Sequence, residues 1–176
     1  MAEEVSRSLP DISGMSRRPI LALDVDGPIN TFGSSGGLEA YECYAGDIPL
    51  TIPHAVPGFL RQLHVHFQIV WFSSWGRSAN QYVSPLVGLP TNLPVIDFDR
   101  YGTGEAGESR KLKGLLHWLD ESASIAIVDD EIGRDMEAWA RERLAPTLLI
   151  EVDSRIGLQA EQVAQLTGFV ENLEWQ

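Results

Sequence analysis

The sequence has little cysteine, few basic residues and no long apolar run. The single cysteine, Cys43, excludes an internal disulfide framework and a zinc site built from several cysteines. The 13 Lys and Arg stand against 25 Asp and Glu, so the formal net charge is -12, which repels nucleic acid and anionic lipid. No apolar run approaches the ~20 residues of a membrane span, and the polar N-terminal residues do not resemble a secretion signal. We expect a cytoplasmic protein that does not enter membranes.

What is present suits one globular domain. Hydrophobic residues make up 44% of the 176 residues, and domains usually hold about 100 to 200 residues. Residues 1–17 lack apolar periodicity, which predicts a disordered tail before a single domain at 18–176. Residues 28–58 are rich in Gly and Pro and contain two short β-like pieces, which predicts an inserted hairpin, here called the flap.

Short apolar runs alternate with helix-like segments through the rest of the chain. The runs that are typical of buried strands are 20–25, 67–72, 93–98, 124–129 and 147–152. The helix-like segments are 109–121, 132–144 and 157–173, with another near 56–66. This alternation predicts an α/β fold in which helices cover both faces of a parallel sheet and the functional crevice lies at the carboxyl ends of the strands.

Polar side chains follow three of the predicted strands. They are Asp24 and Asp26 after the first strand, Ser73 and Ser74 after the second, and Asp129 and Asp130 after the fourth. If these strands are neighbours, four carboxylates meet in one crevice, and like charges ~4 Å apart repel by about 1 kcal/mol even in water. A cation is needed to compensate, and an all-oxygen set of ligands suits Mg²⁺. A carboxylate beside Mg²⁺ can attack phosphorus, and Gly27 allows the tight turn after the first strand.

In LALDVDGPIN, IVWFSS, KLKGLLHWL and IAIVDDE, taken in that order, the chain resembles the haloacid dehalogenase-like (HAD) superfamily of phosphohydrolases. The resemblance implies a three-layer, Rossmann-like fold with a parallel sheet in the order 3-2-1-4-5 and a small flap in place of a large cap. It also implies that Asp24 is the nucleophile and that Asp26 is the general acid and base. Because Asp26 is present, the resemblance points to phosphoryl chemistry rather than to carbon–halogen cleavage.

The remaining motifs imply further roles. Ser73 would hydrogen-bond the phosphoryl group, with Ser74 as the alternative, and Lys111 would steady the phosphoryl charge, with Lys113 as the alternative. The Mg²⁺ ligands implied by the family are the Asp130 side chain supported by Asp129, the Asp24 carboxylate and the Asp26 backbone carbonyl. Gly27, Ser74 and Trp75 are expected to contact the substrate.

More narrowly, VWFSSWG, VDDE and VDSRIGL are similar to small bacterial HAD domains associated with RNA-repair modules. The stretches before and after Ser73 are too short for a substantial cap. Closure of the crevice therefore falls to the flap, a partner or a large substrate. Aromatic residues of the flap region, Tyr41 and Tyr44, together with Trp75, are candidates for an aromatic surface that meets a base.

The sequence thus predicts a Mg²⁺-dependent phosphatase that forms an aspartyl phosphate. Its expected substrate is a nucleotide, a nucleic-acid end or another large phosphate, with phosphosugars as the second class. The alternative is a non-catalytic phosphoryl-binding or assembly module, and a partner domain or homo-oligomer stays open. His64 and His66 are expected to be exposed histidines at a strand edge, and Asp135 is expected either to touch the site or to serve the first turn of a helix.

Overall fold

A computed structural model describes residues 18–32, 39–99 and 109–174. The strands, in chain order, are β1 (Ile20–Leu23), β2 (Ala40–Ala45), β3 (Ile48–Pro53), β4 (Gln68–Trp71), β5 (Ile125–Asp129) and β6 (Thr147–Glu151). The α-helices are α1 (Val56–His66), α2 (Ser84–Val87), α3 (Arg110–Trp118), α4 (Arg134–Glu142) and α5 (Ala160–Glu174), and a π-helical turn (Ala79–Val83) precedes α2. The predicted N-terminal tail lies outside the described residues.

Four parallel strands form the main sheet in the order β4-β1-β5-β6. Successive residues of a strand point to opposite faces, and this divides the core in two. Leu21 and Leu23 belong to the cluster that includes α1 and α5 residues, whereas Ala22 packs in the cluster that includes α3 and α4 residues. Helices therefore cover both faces, and the predicted three-layer arrangement is confirmed.

The predicted third strand, 93–98, is reduced to a single bridge. Val95 pairs in parallel with Trp71 at the outer edge of β4, which is the place that the 3-2-1-4-5 order assigns to it. The apolar side chains of Ile96 and Phe98 are buried as expected. Pro94 has no N–H to donate to a ladder, and this limits regular pairing of the segment.

The flap is a hairpin, as predicted, in which β2 and β3 pair antiparallel. Gly46, at the turn between them, has a φ of 63°, a conformation that glycine adopts without steric cost. Three hydrogen bonds join the hairpin to the turn after β1. Thr51 O accepts from the Thr31 N–H (2.9 Å) and from the Thr31 hydroxyl (3.2 Å), and Thr51 N–H donates to Asn30 Oδ1 (3.0 Å). The flap is thereby held at the carboxyl end of the first strand.

The two histidines near β4 lie elsewhere than predicted. His64 and His66 occupy the last turn of α1 rather than a strand edge, because α1 continues to the residue before Phe67. None of the helices in the described ranges has the length and hydropathy needed to cross a membrane.

Candidate active site

Strand register brings the predicted carboxylates together. Leu23 pairs with Val128, so the residues that follow, Asp24 and Asp129, are neighbours at the carboxyl end of the sheet. Side-chain oxygens of Asp24, Asp129 and Asp130 all lie within 4.8 Å of one another. Asp24 and Asp129 are buried, and Asp130 is half-buried. We call this set the acidic cluster.

Lys111 lies against the acidic cluster. Its Nζ donates to Asp24 Oδ2 and to Asp129 Oδ2, each at 2.6 Å. Helix α3 supplies this lysine from its first turn, where the Ser109 hydroxyl accepts a hydrogen bond from the Lys111 N–H (3.2 Å) and so caps the helix. Of the two lysines that the sequence offered, Lys111 is therefore the one that contacts the predicted nucleophile.

Asp135 fixes the position of α3 from the neighbouring helix. Its Oδ2 accepts a hydrogen bond from the Ser109 N–H (2.6 Å), and it lies in the first turn of α4. The second of the two roles considered for Asp135 is thus observed, and it carries an additional contact to the cap of α3. Gly114 allows α3 to approach the 93–98 segment, because a Cβ there would lie 2.5 Å from Phe98 Cβ.

Burial and charge oppose each other in the acidic cluster. Burial raises the pKa of Asp129 to about 6, although the Lys111 ammonium acts in the other direction. The pKa of Asp130 is also raised, first by burial and then by the negative charge of Asp24. For Lys111, burial alone would lower the pKa, but the attraction of Asp24 and Asp129 outweighs it and the net shift is upward. One ammonium thus faces three carboxyl groups.

Gly27 is required by the close approach of Asp130. Its φ is 90°, and a Cβ at this position would lie 2.4 Å from Asp130 Cβ. Any side chain would therefore have to displace Asp130 from the acidic cluster. The predicted role of Gly27 in the turn is consistent with this geometry, and its second role, making room for a carboxylate, could not be read from the sequence.

Asp26 is held apart from the acidic cluster. The indole Nε1–H of Trp75 donates to its Oδ2 (2.9 Å), and the amide of Asn30 donates to its Oδ1 (2.8 Å). Each carboxylate oxygen of Asp26 therefore accepts a hydrogen bond from an uncharged group. The Asp26 side chain is not a member of the acidic cluster. The two aspartates of the motif therefore have different surroundings.

The two serines after β4 differ in exposure. Ser73 is buried, and its Oγ accepts a long hydrogen bond from the Trp75 N–H (3.4 Å). Ser74 is exposed and lines the crevices on either side of the turn. Both stay candidates for the phosphoryl contact.

The predicted aromatic surface has different members. The Tyr41 ring packs on His54, with centroids 4.0 Å apart, and Tyr44 projects from the flap into solvent. Trp75 does lie at the site, where Phe32 and Tyr82 line a groove with it. The packing of Tyr41 on His54 and the solvent exposure of Tyr44 were not available from the sequence pattern.

Asn30 is the residue whose role was missed. It is buried, and its one amide serves both Asp26 and the Thr51 N–H of β3. The available signal was its spacing of four residues from Asp26, at the start of the predicted flap.

These features are those of a HAD-superfamily phosphohydrolase domain. More narrowly, the family described as the HAD domain in Swiss Army Knife RNA repair proteins matches residues 20–163, and the chain belongs to that family. A solved structure of the fission yeast RNA polymerase II CTD phosphatase Fcp1 bound to beryllium fluoride is similar at 14% identity and a TM-score of 0.40. The match covers 90% of this chain and 51% of that one, so this chain spans about half the length of the solved chain. No curated protein sequence matches.

Proposed function

We propose that the protein is a Mg²⁺-dependent phosphomonoesterase that works through an aspartyl-phosphate intermediate. The observation that carries the proposal is the separation of two aspartates two residues apart. Asp24 is buried in the acidic cluster against Lys111, whereas Asp26 is held outside it by Trp75 and Asn30. The pair is suited to nucleophilic attack by the first residue and proton transfer by the second.

In the first step, an Asp24 carboxylate oxygen forms a bond to phosphorus while the bond from phosphorus to the leaving oxygen breaks. Asp26, in its protonated form, gives its proton to that oxygen, and the alcohol departs. In the second step, the Asp26 carboxylate takes a proton from water. The resulting hydroxide oxygen bonds to phosphorus as the bond from Asp24 to phosphorus breaks, which releases phosphate and restores both residues.

The acidic cluster fits a hard divalent cation. Its three carboxylates supply oxygen ligands, and Lys111 is hydrogen-bonded to two of them, Asp24 and Asp129. Asp24 and Asp130, supported by Asp129, would hold the ion together with the Asp26 backbone carbonyl. When bound, Mg²⁺ supplies positive charge that stabilises the transferring phosphoryl group. Lys111 holds the Asp24 oxygen in place and adds positive charge to the site.

We propose a nucleotide or nucleic-acid end as the substrate, with a phosphosugar as the second class. The family description, which places such domains in RNA repair proteins, supports this order. The insert visible among the described residues at the site is a small hairpin, which supports a capless site open to a large substrate. Because the net charge of -12 opposes binding of a polyanion, we also propose that a partner domain or a second copy assists. A cytoplasmic location remains our expectation.

The test is capture of beryllofluoride, which mimics an acyl phosphate on an aspartate. We expect the wild-type protein to bind it with Mg²⁺ and the Asp24→Asn variant to lose this binding while remaining folded by circular dichroism. Turnover of an aryl phosphate and of end-phosphorylated oligonucleotides is measured in parallel. Undiminished turnover by Asp24→Asn would refute the nucleophile assignment, whereas capture without turnover of any phosphate in the panel would favour the phosphoryl-binding module.

A further inference from the structure

A groove of about 560 Å³ opens beside Asp26, between strand β3 of the flap and the turn that follows β4. Its volume is within the range of small-ligand sites. Asp26 lies in its lining, and aromatic rings of Phe32, Trp75 and Tyr82 form the walls. Apart from Asp26, the described residues that line it carry no charged side chain.

The walls of the groove are apolar surfaces left in contact with solvent. Phe32 is 52% exposed and Tyr82 is 37% exposed, and Ile48 of β3 is 52% exposed on the flap side. A contiguous set of large apolar side chains beside a polar site marks a ligand surface more often than isolated exposed residues do. Such a surface is suited to a flat, uncharged ring.

Local structure fixes these walls. The Trp75 ring is oriented by its hydrogen bond to Asp26, and the Phe32 backbone N–H donates to Ser154 O (2.8 Å). At the far side, a Cβ on Gly46 would lie 3.9 Å from the Tyr82 ring, so the turn of the flap reaches that ring. The groove is present among the described residues, between the flap and the turn that follows β4.

Reaction geometry assigns the groove a role. A general acid must lie within about 2.6 to 3.2 Å of the oxygen that it protonates, so the leaving group has to sit beside the Asp26 carboxylate. We propose, on the basis of the function proposed above, that the groove is the leaving-group subsite and that it stacks the base of a phosphate-bearing terminal nucleoside. The absence of basic residues from its described lining disfavours a substrate with a second phosphate at this position.

Binding to the inactive Asp24→Asn variant tests the subsite without requiring turnover. Isothermal titration with Mg²⁺ compares adenosine 5′-monophosphate and adenosine 3′-monophosphate with ribose 5-phosphate, which lacks a base. Because base stacking contributes about 1 to 3 kcal/mol, we expect at least one nucleotide to bind about 5- to 150-fold more tightly than ribose 5-phosphate. Equal affinities would overturn the proposal.

Substitutions in the groove then test whether its side chains cause the preference for a nucleotide over ribose 5-phosphate. Phe32→Ala or Tyr82→Ala, added to Asp24→Asn, should remove most of the nucleotide preference and leave ribose 5-phosphate binding within about twofold. Tyr44→Ala is the matched control, because Tyr44 is an exposed flap aromatic outside the groove lining, and it should keep the preference. A preference that survives both groove substitutions refutes the subsite. Since beryllofluoride capture by the wild type is measured separately, loss of the proposed chemistry and loss of the subsite give different results.

Discussion

Replacement of Lys111 by Met removes the cation from the acidic cluster while keeping a side chain of similar length. Lys111 Nζ lies 2.6 Å from Asp24 Oδ2 and 2.6 Å from Asp129 Oδ2. The carboxylate side chains are only 8% and 2% exposed, so water can replace the lost donors only in part. We expect the metal-free variant to be less stable than the wild type at pH 7.5, and to lose activity.

The expected decrease in the free energy of unfolding follows from the burial of Asp24 and Asp129. Removing one member of a buried ion pair costs about 3 to 5 kcal/mol. Lys111 keeps 21% of its side chain exposed, and solvent screens part of the interaction, so we expect the lower end, about 3 kcal/mol. For a domain of this size that corresponds to a decrease in Tm of roughly 6 to 12 °C.

The assay is thermal unfolding without metal at pH 7.5 and at pH 5. The positive charge of Lys111 opposes the burial that raises the pKa of Asp129. In the variant Asp129 is therefore more easily protonated at pH 5, and the difference from the wild type should shrink. Lys113→Met is the control, since residues two apart on a helix point to different sides. An equal loss in both variants, or a loss that does not depend on pH, would contradict the electrostatic origin.

Three further outcomes are expected. Gly27→Ala should weaken Mg²⁺ binding about 10- to 100-fold by displacing Asp130, as measured by titration calorimetry. Unchanged affinity would contradict the close approach of Gly27 and Asp130. Asn30→Ala should slow hydrolysis of alkyl phosphates about tenfold or more but affect aryl phosphates less, because only the poorer alkyl leaving group depends on a well-oriented Asp26. Equal slowing of both substrates would argue against a role of Asn30 in positioning Asp26. Burial raises the pKa of Asp129 from 3.8 to about 6, so in metal-free protein about 3 kcal/mol of stability is present below pH ~4 and is lost as the pH rises past 6. If Mg²⁺ binds the acidic cluster as proposed, it displaces that proton, so the Mg²⁺-induced rise in Tm should be larger at pH 7.5 than at pH 5; a rise independent of pH would contradict the assignment.

The meeting of Asp24 with Asp129 and Asp130 was predictable from sequence because it depends on one general property. Parallel strands end at the same edge of a sheet, so residues that follow apolar runs converge whatever the details of packing. The same property placed Ser73 and Trp75 near that edge. Helix α3 was also predictable, because its apolar spacing is regular.

The choice between Lys111 and Lys113 was not predictable, because both lie in the first turn or just beyond it and both are basic. What decides between them is the rotation of α3, which depends on the Ser109 cap and on its bond to Asp135. The second of these contacts joins distant segments of the chain. The partners of Asp26 were hidden for the same reason, since Trp75 reaches it from the end of a different strand.

The side-chain amide of Asn30 connects Asp26 to the flap hairpin. Its nitrogen end is bound to Asp26 and its oxygen end to the backbone of Thr51. A displacement of β3 that breaks the second contact frees the amide to rotate and deprives Asp26 of one of its two donors. If Asp26 is the general acid as proposed, its alignment for proton transfer depends on the contact between Asn30 and the hairpin.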